Sequence, residues 1–239
     1  MRTADLVTFP CARLRDYHLR LVSREGPTAV VPHIGVVLPP EPATREEGFR
    51  LVHAGNLGAG ESTRRNSTAG LLRAVRSFLE RRPEAKDRFR LVLVGGEDPA
   101  TTRLAAELGL GGVLQSTGRV NYLESTRWMA AASACLLVEG EMPEGIYLAS
   151  KFPDYVTAGK PVIALSPETG TIADLRGHRG LTVVKVSDPA SIEGAIAVHF
   201  EAWAAGRLET LAPEVALRER YALPAVGRQW RELFETLVG

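Results

Sequence analysis

The sequence Leu148-Ala-Ser-Lys-Phe-Pro-Asp-Tyr-Val-Thr-Ala-Gly-Lys-Pro-Val-Ile-Ala-Leu165 predicts a short helix followed at once by a buried strand. The helix covers residues 151–158 and ends at Gly159, because a glycine just past the last turn readily adopts the left-handed conformation. Residues 161–165 form a continuous apolar run, which is typical of strands buried on both faces. A helix leading directly into such a strand indicates an α/β fold with parallel strands.

The same alternation continues on both sides of this stretch. Further strands are predicted at 50–54, 90–94, 113–117, 134–138 and 182–186, and further helices at 68–82, 101–108, 122–132, 191–205 and 225–237. Five or six strands with intervening helices predict a doubly wound, Rossmann-like parallel sheet, whose ligands bind at the carboxyl ends of the strands near the topological switch point. We therefore expect the site in the loops after residues 54, 94, 117, 138 and 165.

The N-terminal region follows a shorter version of this pattern. A strand is predicted at 6–9, a helix at 12–21 and a second strand at 29–31. Residues 39–47 are rich in proline and charge, which indicates a linker.

Composition excludes several classes of protein. The chain has 239 residues, 45% apolar and 24% charged, and a net charge of +1, so no global basic field points to nucleic acid. Cys11 and Cys135 lie far apart in apolar surroundings and are predicted to be buried structural thiols. There is no signal-peptide pattern and no run of about 18 apolar residues, from which we expect a cytoplasmic location, with peripheral membrane association left open.

The loop after residue 54 carries glycines and two arginines. Gly55 and Gly58, with Asn56 between them, allow backbone amides to approach a ligand closely, because glycine has no side chain. Arg64 and Arg65, expected just before the next helix, can clamp a diphosphate with paired hydrogen bonds. The alternative is a glycine-rich surface turn with two solvated arginines. The loop matches neither a Walker A motif nor the Gly-x-Gly-x-x-Gly fingerprint.

Two further loops carry weaker signals. Gly95 is small enough for a strand end to pass near a ligand, although an ordinary turn explains it equally well. The backbone around Arg119, Val120 and Asn121 can read the polar edge of a base. The alternative is an ordinary turn in which Asn121 caps the following helix.

The loop after residue 138 combines three carboxylates with two glycines. Beyond it, Lys151 and Asp154 lie at i and i+3 of a predicted helix and hence on one face. A carboxylate there can accept hydrogen bonds from a ribose diol, and a lysine can neutralise a phosphate. The alternative is a surface loop with one exposed ion pair, worth under about 1 kcal/mol. Of the five histidines, His53 lies next to the first glycine loop and is the one to test.

Taken together, these loops resemble the C-terminal domain of the GT-B glycosyltransferases, in particular the retaining family 4 enzymes. Residues 148–164 look like the signature Pro-Ser-Lys-x-x-Glu-Tyr-x-x-x-Gly-x-Pro-Val. Supporting matches occur in family order at 54–58, 93–96, 118–120 and 132–137, and the resemblance spans roughly residues 50 to 175.

The resemblance implies a role for each candidate residue. Arg65 and Lys151 would be the catalytic groups, stabilising the departing diphosphate. The substrate-binding residues would be Gly55, Asn56, Gly58, Arg64, Gly95, Arg119, Val120, Asn121, Glu144, Gly145, Ile146, Ser150 and Asp154. Among them Asp154 would hold the ribose, and Glu144 to Ile146 would meet the donor sugar and diphosphate through backbone amides. Neither a metal nor another cofactor is implied.

Three positions depart from the family pattern. Glu144 and Asp154 are ten positions apart, and the site eight before Asp154 is Ile146, where the family has a glutamate. Asp154 replaces a second glutamate and is shorter. Asn56 stands where an arginine is often found.

The resemblance also implies a domain organisation and partners. Residues 1–47 would be a remnant of an acceptor-side domain plus the linker, 48–220 the donor-binding domain, and 221–239 a helix crossing back to the other domain. The expected function is transfer of a UDP- or GDP-linked sugar to a polysaccharide or lipid-linked acceptor. This function is expected to need a missing N-terminal half or a partner chain, and a homo-oligomer is a further expected form of assembly. The alternatives are a non-catalytic nucleotide-sugar-binding or assembly subunit of a split transferase, and a GT-B epimerase.

Overall fold

A computed structural model describes residues 4–36, 48–55, 57, 62–96 and 98–238. Its strands are β1 Val7–Phe9, β2 Thr28–Val30, β3 Phe49–Ala54, β4 Phe89–Val94, β5 Leu114–Ser116, β6 Ala134–Val138, β7 Val162–Ser166 and β8 Leu181–Lys185. Its α-helices are α1 Ala12–Leu21, α2 Ser62–Arg81, α3 Pro99–Glu107, α4 Tyr122–Ala130, α5 Lys151–Thr157, α6 Pro189–Ala204, α7 Val215–Tyr221 and α8 Leu223–Val238. Single 3₁₀ turns lie at Pro83–Ala85, Ala173–Leu175 and Leu208–Leu211.

Six of the strands form one parallel sheet in the order β5-β4-β3-β6-β7-β8. The strand order reverses between β3 and β6, because β4 and β5 extend to one side of β3 while β6, β7 and β8 extend to the other. This is the switch point at which ligands bind in doubly wound sheets. The predicted fold class is confirmed.

Successive residues of the central strands pack into two cores, one on each face of the sheet. Leu51 belongs to the first core and Val52 to the second, as expected where helices cover both faces of a parallel sheet. The first core contains an aromatic group in which the rings of Phe78 and Phe89 lie 5.3 Å apart and those of Phe78 and Phe200 lie 5.5 Å apart. The predicted buried runs therefore form a rigid platform under the strand ends.

Residues 4–36, which we call the N-terminal unit, form a small layer that packs against the second core through Cys11 and Leu14. β1 and β2 pair in parallel as a two-stranded sheet, and α1 has no buried residue. The unit joins the rest of the chain where Gly35 donates its amide to the carbonyl of Tyr221 at 2.8 Å, close to the start of α8. The residues predicted as a linker, 39–47, lie outside the described residues.

Two helix predictions were wrong in detail. α2 begins at Ser62, six residues before the predicted start, so Arg64 and Arg65 lie inside the helix and not before it. The first turns of α2 are polar, so they lack the apolar periodicity from which helix starts are read. α7 was not predicted, since Leu217 and Tyr221 are its two buried residues and form too short a pattern.

Two other expectations concern cysteines and membranes. Cys11 and Cys135 are both free and buried, which confirms the predicted burial of the two thiols. Within the described residues, no helix combines the length and apolarity needed to cross a bilayer.

Candidate functional site

Gly55 and Gly95 let three chain segments meet at the carboxyl ends of β3 and β4. Gly55 has φ +107°, and a Cβ built on it would lie 2.6 Å from Lys151 Nζ. A Cβ on Gly95 would lie 2.9 Å from the Gly55 carbonyl carbon. At Gly95 the collision is with backbone, so glycine is required for the ends of β3 and β4 to approach each other; at Gly55 it is the positive φ that favours glycine, since the Lys151 side chain could move aside.

Lys151, the first residue of α5, is oriented by a buried histidine. His53 Nδ1 lies 2.9 Å from the carbonyl oxygen of Leu136, which can only accept, so Nδ1 carries the proton. His53 Nε2 therefore accepts a hydrogen bond from Lys151 Nζ at 3.4 Å. This arrangement places the ammonium group beside Gly55 at the switch point. His53, which the sequence suggested testing, thus acts on the site through Lys151.

Asp154 lies one turn further along α5 and is buried. One of its two carboxylate oxygens accepts hydrogen bonds from the protein. Its Oδ1 accepts hydrogen bonds from the Val36 amide at 2.9 Å and the Tyr122 hydroxyl at 3.3 Å. Its Oδ2 accepts none from the residues that the structure describes. Burial raises the pKa of the Asp154 carboxyl, and the two hydrogen bonds and nearby His33 offset this only in part. Partial burial, followed by the nearby Asp154 charge and the hydrogen bond to it, raises the pKa of Tyr122 to about 12.

A cleft of about 450 Å³ lies between these groups. Its lining consists of His33, Ile34, Ala54, Gly55, Tyr122, Ser125, Met129, Ser150, Lys151 and Asp154. This volume falls within the range of small-molecule sites. Of the predicted site residues, the structure brings Gly55, Ser150, Lys151 and Asp154 together here. Sequence reasoning missed Tyr122, although it directly follows the loop that was examined for base recognition.

Glu144, Gly145 and Ile146 form a second group that faces the N-terminal unit and does not line this cleft. The Glu144 carboxylate pairs with Arg13. The Gly145 amide donates to the carbonyl of Thr169 at 2.9 Å and is therefore already hydrogen-bonded within the protein. The Ile146 carbonyl accepts from Cys11 Sγ at 3.1 Å.

The other predicted residues lie around these two groups. Arg65 is exposed near the start of α2, and its neighbour Asn66 donates to Glu141 at 3.3 Å, so this helix end meets the loop after β6. Asn121 caps α4 by accepting from the Glu124 amide at 2.9 Å, which is the structural alternative considered for it.

Five more predicted residues remain to be placed. Arg119 is exposed and Val120 packs against the second core. Asn56 and Gly58 lie outside the described residues, as does the side chain of Arg64.

Comparison with known proteins gives the fold but no sequence family. No family model and no curated protein sequence matches the chain. A sucrose-phosphate synthase from Thermosynechococcus elongatus matches 99% of this chain and 59% of its own, with 20% identity and a TM-score of 0.67. The chain has the GT-B glycosyltransferase fold.

Two further solved structures agree. A glycosyltransferase from Rickettsia africae matches 98% of this chain and 64% of its own, with 12% identity and a TM-score of 0.74. Anabaena HepE, solved in complex with UDP and glucose, matches 97% and 63%, with 15% identity and a TM-score of 0.73. The GT-B-like chain described here thus spans about three fifths of the length of these structures.

Proposed function

We propose that this chain is the donor-binding part of a glycosyltransferase that uses a UDP- or GDP-linked sugar. The observation that carries the proposal is the cleft at the β3–β6 switch point, where Gly55, Lys151 and Asp154 converge. The complex of Anabaena HepE with UDP and glucose supports the choice of ligand class, since its fold is the same.

In this proposal the ribose and the diphosphate of the donor bind to different residues of the cleft. The Oδ2 atom of Asp154 accepts a hydrogen bond from a ribose hydroxyl, because Oδ1 is occupied by Val36 and Tyr122. Lys151, aligned by His53, neutralises the diphosphate, and Arg65 at the start of α2 adds a second positive charge. Catalysis then consists of positioning the donor and stabilising the departing diphosphate electrostatically.

We further propose that a second polypeptide portion, either more of the same protein or a partner chain, supplies the acceptor half. α1 has no buried residue, and Leu21 at its end is 65% exposed. On α8, Phe234 is 59% exposed, although Val226, about two turns earlier, is fully buried. A two-stranded parallel sheet is at best marginally stable without further cover. The acceptor would be a polysaccharide or lipid-linked glycan of the cell envelope.

Calorimetric titration with UDP, GDP, ADP and UDP-glucose tests donor binding. We expect Lys151→Met to weaken binding of nucleoside diphosphates by about 10-fold or more, since hydrogen bonds to charged groups contribute about 1.5–3 kcal/mol. Asp154→Asn should weaken binding less, because its amide oxygen still accepts. Lys86→Met and Asp87→Asn are matched controls, because both residues are exposed and lie just before β4, at the amino end of the strand and away from the cleft. If none of the nucleotides binds at millimolar concentration, the proposal fails.

The second candidate is a non-catalytic subunit of a split transferase, favoured by the same exposed apolar side chains on α1 and α8. Sugar transfer is measured with the chain alone and with a co-purified partner. Transfer by the chain alone would exclude the subunit hypothesis. Transfer only by the pair, lost in Lys151→Met, would assign the donor site to this chain and the acceptor site to its partner.

A further inference from the structure

The loop that contains Glu144, Gly145 and Ile146 is held from two sides. On one side, Gly145 forms a parallel bridge with Gly170 in the segment after β7. The Gly145 amide donates to the Thr169 carbonyl at 2.9 Å, and the Gly145 carbonyl accepts from the Thr171 amide at 2.7 Å. On the other side, the contacts come from the N-terminal unit, more than 130 positions away in the sequence.

Arg13, in the first turn of α1, joins this loop to the segment after β7. Its guanidinium donates to both carboxylate oxygens of Asp174, each at 2.7 Å, and also to Glu144. The contact with Arg13 holds the pKa of Asp174 below its usual range. Because the planar guanidinium has donors in a fixed fork, it can bridge two carboxylates at once, which a lysine ammonium cannot do with the same geometry.

Cys11 fixes the adjoining backbone. Its Sγ donates to the Ile146 carbonyl at 3.1 Å, and the Thr171 hydroxyl lies within hydrogen-bonding distance of both atoms, 3.4 Å from Sγ and 3.3 Å from the carbonyl oxygen. Cys11 is buried, and its hydrogen bond to Ile146 is partly buried. Cys11 and Arg13 therefore hold consecutive parts of one loop.

Below the loop, Glu139 limits where it can move. The Glu139 carboxylate is buried and accepts from the Ser166 hydroxyl at 2.5 Å. A Cβ built on Gly145 would lie 3.3 Å from Glu139 Oε2, so the loop backbone already rests on this carboxylate. Glu139 therefore limits movement of Gly145 toward it, while Arg13 and Cys11 hold the neighbouring residues Glu144 and Ile146.

We propose that Arg13 and Cys11 are positioning residues that hold the Glu144–Ile146 loop in place to receive the sugar of the donor, while the nucleotide is bound in the Lys151–Asp154 cleft. This inference rests on the proposed function. It makes Arg13 and Cys11 determinants of sugar binding, whereas the N-terminal unit contacts the nucleotide cleft through His33, Ile34 and Val36 and not through Arg13.

The test compares dissociation constants for UDP and UDP-glucose, or for the GDP pair if guanine is preferred, in the full chain. We expect Arg13→Gln to weaken binding of the nucleotide sugar by about 10-fold or more, as for loss of a charged hydrogen-bonded contact, and to change UDP binding less than about 2-fold. Cys11→Ala should have the same selective but smaller effect, and Cys11→Ser should restore binding, because a hydroxyl can also donate to the Ile146 carbonyl. Arg15→Gln is the matched control, since Arg15 lies on the same helix and pairs with Asp16.

Hydrogen exchange at the Gly145 and Thr171 amides provides a readout that does not need a ligand. Arg13→Gln should speed exchange at both amides, and Arg15→Gln should not. Equal weakening of UDP and UDP-glucose binding, or no weakening of either, would overturn the positioning role. If the unmodified chain binds no nucleotide, the proposed function fails. Independently of that result, unchanged hydrogen exchange at Gly145 and Thr171 in Arg13→Gln would show that the Arg13–Glu144 contact does not support the loop.

Discussion

Replacing Gly170 by alanine should open the bridge that supports the Glu144–Ile146 loop. Gly170 has φ +149°, and a Cβ built on it would lie 2.6 Å from the Gly145 carbonyl oxygen and 2.7 Å from its Cα and N. All three are backbone atoms, so no side-chain rotation relieves the collision. The chain must therefore separate at this point.

The cost has two parts. An alanine at a positive φ that glycine tolerates costs about 1–2 kcal/mol in backbone strain. Opening the bridge also removes the hydrogen bonds Gly145 N–Thr169 O and Thr171 N–Gly145 O, worth about 0.5–1.5 kcal/mol each. The expected loss of unfolding free energy for Gly170→Ala is about 2–5 kcal/mol.

Gly177→Ala separates the two parts. Gly177 also has a positive φ, +92°, but among the described residues no atom lies within 4 Å of its added Cβ, so it carries the strain alone. Urea unfolding followed by circular dichroism should show Gly170→Ala less stable than Gly177→Ala by about 1–3 kcal/mol. Equal loss of stability in the two variants would refute the reasoning, because it would mean that the bridge yields at no cost.

Three further predictions concern buried polar groups. Tyr155→Phe removes the hydroxyl that accepts from the Ala54 amide at 2.7 Å, and leaving that buried donor unpaired should lower stability in urea by about 1–3 kcal/mol; unchanged stability would contradict the contact. The pKa of Asp154 is raised in the folded state, so that state binds the proton more tightly, and the residue's contribution to the free energy of unfolding falls as pH rises from 3.8 through the folded pKa. Urea unfolding across this pH range should show the fall in the unmodified protein and not in Asp154→Asn; a contribution of Asp154 that rises with pH would disprove the raised pKa. Burial raises the pKa of the Cys135 thiol, so in a Cys11→Ala background its reaction with a thiol reagent at neutral pH should be no faster than unfolding, and rapid labelling of folded protein would contradict its burial.

Much of the sheet could be predicted because each strand is marked by a short apolar run in the sequence. The strand Ala134–Val138 and the helix Ala12–Leu21 have the predicted bounds, since an apolar run or a clear periodicity is contained within each. The start of α2 could not be read in the same way. Its first turns include Arg65 and Asn66, whose exposed polar side chains resemble a loop in sequence.

The convergence of the site was predictable for a topological reason. Parallel strands place their carboxyl ends at one edge of the sheet, so Gly55 and Lys151 were expected near each other, and they are in contact. The contacts made by the N-terminal unit were not predictable. Arg13 meets Glu144 across 131 positions and Val36 meets Asp154 across 118, and no local pattern in the sequence signals either pairing.

The Asp154 carboxylate connects the N-terminal unit to the cleft. Val36 donates its amide to Oδ1 and accepts from the Thr157 hydroxyl at 3.3 Å, while a Cβ on Gly35 would lie 2.4 Å from the Pro153 carbonyl oxygen. Residues 35 and 36 are therefore pressed against α5. The negative charge of Asp154 is shared between Oδ1, which binds the Val36 amide, and Oδ2, which is proposed to bind a ligand hydroxyl. Ligand binding and attachment of the N-terminal unit are therefore linked through the Asp154 carboxylate. Because asparagine keeps an oxygen for Val36 but lacks the charge, Asp154→Asn separates the two effects: ligand affinity falls while the unit stays attached.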